Sequence, residues 1–311
     1  VNTLSPAIHS SVGQLRHKWS AIKELSKSGI VTLVLISVTA GYLAGHSHQT
    51  AFDWARFSLT LIGILFLSSG SSALNQYQEQ ARDIQMPRTA GRPLPSGRVS
   101  KREAQWFIAT SLALGSFLLF QVSITQWALG LVAVISYNGL YTLWWKRNHA
   151  HAAIPGAIPG ALPILMGYAA ASEKLWTPGG LYLFGLMFFW QMPHFWVLAI
   201  KYQDDYRKGG FPTLPVAVGT QRTTQEITIW GLGYIALSMM APLFIPLGGV
   251  YWTTAIIVGI ALLWELRGFA QAPESKRWLR FFLAISLSLL AYLAAIIIDL
   301  WMIQIPTIWV N

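Results

Sequence analysis

The chain has 311 residues, 54% of them hydrophobic and 11% charged, with a mean hydropathy of +0.46. That balance excludes an ordinary soluble two-domain protein and makes the bilayer the expected solvent. The absence of cysteine excludes disulfides, thiolate catalysis and cysteine-based metal sites, while the formal charge of +10 has to be tested against membrane topology before it is read as a nucleic-acid signal.

Residues 1–28 are polar and mixed in charge, with no apolar core and no small-residue cleavage site, and read as a cytoplasmic segment without a removable signal peptide. Crossing a hydrocarbon core of ~30 Å takes about 20 mostly apolar residues. Nine such runs follow, near 29–46, 57–77, 104–122, 127–145, 154–172, 179–200, 226–246, 250–269 and 281–302. The fifth is interrupted by Pro155, Pro159 and Pro163, so a broken or re-entrant helix is an open alternative there. Residues 303–311 are left as a short external tail. If the spans alternate, all of the 22 lysines and arginines except Arg56 and Lys174 fall on one side, the side that holds the N-terminal segment. By the positive-inside rule that side is the cytoplasm. The net charge is then mostly topology, and no nucleic-acid partner is expected. The predicted fold class is all-α, a polytopic bundle of nine transmembrane helices, 29–302, around a central cavity.

The second span runs into "SSALNQYQEQARDIQMPRTAGRPLPSGRVS", Ser71 to Ser100. Asn75, Glu79 and Asp83 are spaced by four, so on a helix their oxygen-bearing side chains form one stripe about 12 Å long. Such oxygens suit Mg²⁺, which takes carboxylate and amide ligands and commonly completes its shell with substrate phosphate. Pro87 then stops the helix, and Arg88, Arg92 and Arg98 ride on the loop that follows. Guanidinium forks match phosphate oxygens. Metal-binding oxygens beside arginines make a site for a diphosphate; the plain alternative is a set of solvated charges at a helix end.

With this spacing, "N…E…D..M.RT..RPLPSG" resembles the first signature of the intramembrane prenyltransferases. The middle glutamate and "MPRTAGRPLPSG" are most similar to the protohaem farnesyltransferases. Similarity runs across all nine spans and is densest from about 75 to 220.

The sixth span ends "FFWQMPHFWVLAIKYQDDYRKGGFPTLPVAVG", Phe188 to Gly219, with Asp204 and Asp205 beside Lys201 and Arg207. Many relatives carry two aspartates four apart here; this chain has adjacent ones. The resemblance implies that one or both bind a second Mg²⁺ and that Lys201 contacts diphosphate, while a simple interfacial charge cluster remains the alternative. Spans two and six, four apart, thus each lead into an acidic motif, a weak internal echo of two four-helix halves plus a ninth helix. The fourth span ends "YNGLYTLWWKR", where Lys146 can neutralise diphosphate and the Tyr141 ring can face an allylic cation. The wider superfamily pairs Tyr with Lys four residues later, but the interval here is five; Tyr141 as an interfacial belt aromatic is the alternative. Of the seven histidines only His194 lies well inside a span. If its helix continues to Asp205, the two share a face with His194 about 16 Å deeper, at a depth that suits a haem contact as well as simple packing.

The resemblance implies farnesyl transfer from farnesyl diphosphate to a vinyl group of haem B, giving haem O and diphosphate. Two Mg²⁺ ions are implied, with haem B as substrate rather than cofactor. The lack of a visible presequence favours a bacterial inner membrane over a mitochondrial one, and the resemblance implies a haem A synthase acting downstream. The same machinery could prenylate a quinone precursor or a chlorin. A haem-binding transporter or chaperone is the non-enzymatic alternative, disfavoured because transporters hold substrate charges near the midplane, whereas nearly every charge here lies at one face.

Overall fold

The computed structural model describes residues 18–46, 51–273 and 275–302, and among them helices are the only regular secondary structure. The N-terminal segment is therefore seen from Lys18 onward, and the predicted tail 303–311 lies outside the described residues. A helix at 18–25 leads through a turn at Ser26 and Lys27 into α1 (Ser28–Gly45). Then come α2 (Trp54–Asp83), α3 (Lys101–Val122) and α4 (Ile124–Val134), which passes directly into a π-helix, Ile135–Trp145. α5 (Ala153–Ser172), α6 (Pro178–Lys201), α7 (Leu214–Met239), α8 (Gly249–Gln271) and α9 (Arg277–Met302) complete the bundle.

Seven of these, α1, α2, α3, α5, α6, α8 and α9, are long and apolar enough to cross a membrane. Their flanks carry large apolar side chains that face outward, such as Ile257, Ile260 and Trp264. Surface of this kind in several helices is what a hydrocarbon solvent requires. The two predicted spans that miss the criterion do so for different reasons. In α4 the α-helical register lasts only 11 residues before the π-helix begins. In α7 the helix starts at Leu214, so its first turns hold polar residues such as Arg222 and Glu226, and it bends where Gly219 adopts φ 81°. Few side chains tolerate that conformation, and glycine supplies it. The helix stops at Met239 and a short 3-10 turn, Ala241–Leu243, replaces the predicted continuation, because Pro242 and Pro246 cannot donate to a helical ladder.

The proline-rich fifth span is one continuous helix, with Pro159 and Pro163 buried inside it. It is held by close backbone approach. A Cβ on Gly41 would stand 2.1 Å from the Ile164 carbonyl oxygen, and one on Gly167 would stand 2.1 Å from that of Val38. Small residues let α1 and α5 touch main chain to main chain, as membrane helices do when no hydrophobic driving force separates helix from lipid. α2 is 30 residues long, about 45 Å at 1.5 Å per residue. It outruns the hydrocarbon layer, and its last turns carry the acidic stripe into the interfacial region.

Candidate active site

α2 and the π-helix with the residue that follows it run side by side in the same direction, joined by three side-chain pairs at one sequence offset, 67. Ser71 Oγ donates to Asn138 Oδ1 at 2.5 Å, Asn75 Nδ2 donates to Thr142 Oγ1 at 3.0 Å, and Lys146 Nζ donates to both oxygens of Glu79 at 2.6 and 2.8 Å. A constant offset in steps of four is the mark of parallel, in-register helices. The signal in the sequence was a second polar set, Asn138, Thr142 and Lys146, with the same period as Ser71, Asn75 and Glu79. Motif spacing singles out only Lys146 of this set, because Asn138 and Thr142 are neutral residues inside an aromatic-rich apolar run.

The π-helix also accounts for the interval of five between Tyr141 and Lys146. Its main-chain bonds close from residue i to i+5, and the Lys146 N–H does donate to the Tyr141 carbonyl. Thr142 Oγ1 reaches the Tyr137 carbonyl at 2.8 Å, and Arg147 Nε reaches the Thr142 carbonyl at 3.1 Å, each five residues apart. The residue that is extra to an α-helical register is absorbed, and Tyr141 and Lys146 stand together. Tyr141 stacks on Tyr137 at 5.8 Å and leans on Gly156 of α5, where a Cβ would meet its ring at 2.6 Å.

The stripe itself is as the spacing predicts. Asn75, Glu79 and Asp83 are 1%, 2% and 0% exposed, which rules out a solvated charge cluster. Every member has its own cation. Glu79 holds Lys146; Asp83 receives Arg92 Nη1 at 2.9 and 2.8 Å on its two oxygens; and Asn75 Oδ1 accepts from Lys27 Nζ at 2.5 Å. The loop after Asp83 is fixed by Thr89 Oγ1, which donates to the Asp83 carbonyl at 3.0 Å. Burial alone disfavours a charged Lys146, but the Glu79 carboxylate outweighs it and holds the ammonium above the ordinary lysine range. Lys27 goes the other way, pushed down to about 7, by burial first and then by the neighbouring Arg92.

The second motif meets the first at this same end. α6 stops at Lys201, Tyr202 leaves the helical region, and a separate short helix, Gln203–Lys208, carries the aspartates. Asp205 Oδ2 lies 4.0 Å from Arg88 Nε, and the Arg88 guanidinium sits 4.9 Å over the Tyr202 ring and 5.9 Å over Tyr206. Phe211, fully buried, lies under two cations, Lys146 at 4.6 Å and Arg82 at 4.8 Å. Arg82 also donates to the Gly210 carbonyl at 3.1 Å.

Other predicted site residues lie elsewhere. Asp204 points to solvent and pairs with Arg207 at 2.6 Å, because neighbours on a helix face different ways. Arg207 is thereby turned outward too. Arg98 is occupied by Glu24 at 2.6 Å and the Gly91 carbonyl at 2.5 Å. Lys201 lies 5.3 Å over the Trp278 ring. His194 does not share a face with Asp205, since the helix breaks at Tyr202. It stacks on Trp190 at 4.5 Å, packs on Phe282 at 4.8 Å and contacts Ser286 Oγ at 3.3 Å, against α9. Lys27, Phe211, Asn138 and Thr142 are the members that motif spacing did not single out.

The donor set fits a hard cation: one buried amide oxygen and two buried carboxylates, at positions already filled by ammonium or guanidinium groups. Among the described residues no three histidine, aspartate or glutamate side chains are arranged around a single point. Each acid is instead drawn to its own basic partner.

The family model described as the UbiA prenyltransferase family matches residues 34–290. A protoheme IX farnesyltransferase from Bdellovibrio bacteriovorus is 43% identical over 278 residues, 89% of this chain and 95% of its own length. One from a Synechococcus strain is 34% identical over 309 residues, 97% and 89% of the two chains. In three dimensions the chain is similar to a digeranylgeranylglyceryl phosphate synthase, with a TM-score of 0.75 and 18% identity over 92% of this chain and 99% of that one. A UbiA homolog from Archaeoglobus fulgidus bound to DMAPP and Mg²⁺ gives a TM-score of 0.60 at 16% identity, over 88% and 98%. At these identities the solved structures speak for the fold alone, whereas the family match and the Bdellovibrio relative speak for descent. With its interfacial acidic stripe and the helical membrane fold, the chain belongs to the UbiA prenyltransferase family.

Proposed function

We propose that this prenyltransferase moves the farnesyl group of farnesyl diphosphate onto a vinyl group of protohaem IX (haem B), giving haem O and diphosphate. The observation that carries the proposal is the buried stripe in which Asn75, Glu79 and Asp83 are each matched by a cation. Such a site is ready for exchange: a divalent cation can take the oxygens, and the released lysines and arginine can take the diphosphate. Farnesyl as donor and haem as acceptor follow from the relatives that carry that name, among them the one 43% identical.

Asn75, Glu79, Asp83 and Asp205 would hold Mg²⁺, in two ions, one per motif, with Asp204 left outside. Bound there, Mg²⁺ supplies charge neutralisation for the departing diphosphate. The chain's own groups do the rest. Lys146, Arg92 and Arg88 stabilise the negative charge that grows on the bridging oxygen as the C1–O bond breaks and its electron pair leaves with diphosphate. The Tyr141 ring presents a π-face to the allylic cation. The vinyl carbon attacks C1, forming the new C–C bond, and water captures the resulting cation with loss of a proton, leaving a hydroxyethylfarnesyl substituent.

Residues 29–302 would form the catalytic domain, with the N-terminus in the cytoplasm of a bacterium, the protein in its inner membrane, and a haem A synthase consuming the product. The test is direct. Purified protein with Mg²⁺, haem B and farnesyl diphosphate should give haem O by mass spectrometry. No farnesylated haem, with conversion of 4-hydroxybenzoate or a chlorin instead, overturns the proposal.

A further inference from the structure

Lys27 belongs to neither motif. It stands in the turn between the helix at 18–25 and α1, with φ 51° and ψ 53°, a left-handed backbone that few non-glycine residues adopt. Such a conformation persists where the surroundings impose it. Here Gln76 Nε2, one residue past Asn75, donates to the carbonyls of Glu24 at 2.8 Å and Leu25 at 2.9 Å. Ala21 and Leu25 are buried in a cluster with Ala73 and Leu94, and Glu24 is tied to Arg98 at 2.6 Å. The N-terminal segment is thus clamped to α2 and to the arginine loop, and Lys27 is delivered to Asn75.

The pairing it makes is unlike the other two. Glu79 and Asp83 are carboxylates and call for a counter-ion, but Asn75 is neutral. Three basic groups, Lys27, Lys146 and Arg92, therefore face two carboxylates, and Lys27 is the one left without a carboxylate. Asn75 cannot turn its oxygen away, because its nitrogen is held by Thr142 at 3.0 Å. An ammonium on that oxygen excludes a metal ion from it, and a surplus ammonium beside the stripe is placed to meet an anion.

We propose that Lys27 is a further diphosphate-binding residue: it occupies the Asn75 oxygen until a divalent cation takes that oxygen, and then transfers to the diphosphate. The inference rests on the metal and diphosphate reading of the stripe given above. It makes two effects of one substitution run in opposite directions. Lys27→Met and Lys27→Gln both remove the charge, and the glutamine keeps a donor for Asn75. In the full chain, Mn²⁺ binding without diphosphate, read by electron paramagnetic resonance, should tighten about threefold or more. Binding of farnesyl thiolodiphosphate with Mg²⁺, read by calorimetry, should weaken roughly tenfold to a hundredfold, the range for a lost charge-assisted hydrogen bond. Lys27→Arg should keep thiolodiphosphate binding within about threefold of the natural chain. A glutamine variant that matches the natural chain in both titrations overturns the inference, since Lys27 would then only hold the turn. So does a glutamine variant in which both affinities fall along with the melting temperature. If the natural chain itself binds no thiolodiphosphate with Mg²⁺, it is the function proposed above that fails.

Discussion

Removing Lys146 should do more than slow the reaction; it should leave an uncompensated carboxylate inside the protein. Its ammonium lies 2.6 and 2.8 Å from the two Glu79 oxygens, and Glu79 is 2% exposed. At that separation and an effective dielectric of about 20, the attraction is about 6 kcal/mol, set against a desolvation cost of several kcal/mol per ion. Breaking a buried pair from one side typically costs about 3–5 kcal/mol. The Lys146 side chain is 19% exposed, so water reaches the pair and the lower end applies, about 3 kcal/mol. For a chain of this size that is a fall in melting temperature of roughly 5 to 10 °C. We therefore expect Lys146→Met to unfold earlier by that margin, and Glu79→Gln with Lys146→Met to recover most of the loss, because both charges are then gone. Both variants should be inactive in the haem O assay. Mg²⁺ adds a second check: an ion held by Glu79 should raise the midpoint of the single variant, by about 1.4 kcal/mol at ten times its Kd. A single variant as stable as the natural protein, or a double variant no better than the single, would refute this account of the pair.

Four other outcomes follow from the same geometry. Asp205→Asn should cut kcat by about a hundredfold, as removal of a preorganised electrostatic partner does, whereas solvent-facing Asp204→Asn should stay within about threefold; equal losses would place Asp204 in the site after all. Phe211→Leu removes the ring shared by Arg82 and Lys146 and should weaken prenyl diphosphate binding by about 1 kcal/mol, seen as a roughly fivefold rise in KM. His194→Phe keeps the stack between Trp190 and Phe282, so haem O formation should stay within about threefold and the haem Soret band of a substrate-loaded sample should not move; a shifted band would make His194 a haem ligand. Gly167→Leu drives a side chain into the Val38 carbonyl and should abolish recovery of folded protein by size-exclusion chromatography, while Gly29→Leu, with nothing within 4 Å of the added Cβ, should fold normally.

What the amino-acid sequence determined on its own is what is local. Runs of apolar residues of bilayer length specify membrane helices wherever they fall in the chain, whereas the continuity of the proline-rich fifth run was decided only in the packed structure. Four-residue spacing places Asn75, Glu79 and Asp83 on one stripe, since helix geometry alone decides it. Tertiary structure decided which charges meet. Lys27 and Asn75 are 48 residues apart and Lys146 and Glu79 are 67 apart, so their pairing exists only once α1, α2 and the π-helix are packed. The π-helical register was equally out of reach, because hydrophobic periodicity cannot report a change in hydrogen-bond step over 11 residues. Asp204 and Asp205 look alike in the sequence. A helix break at Tyr202 and one residue's rotation send the first to water and the second to Arg88, and the same break separates His194 from both, because a side chain's direction depends on every backbone dihedral between it and its target.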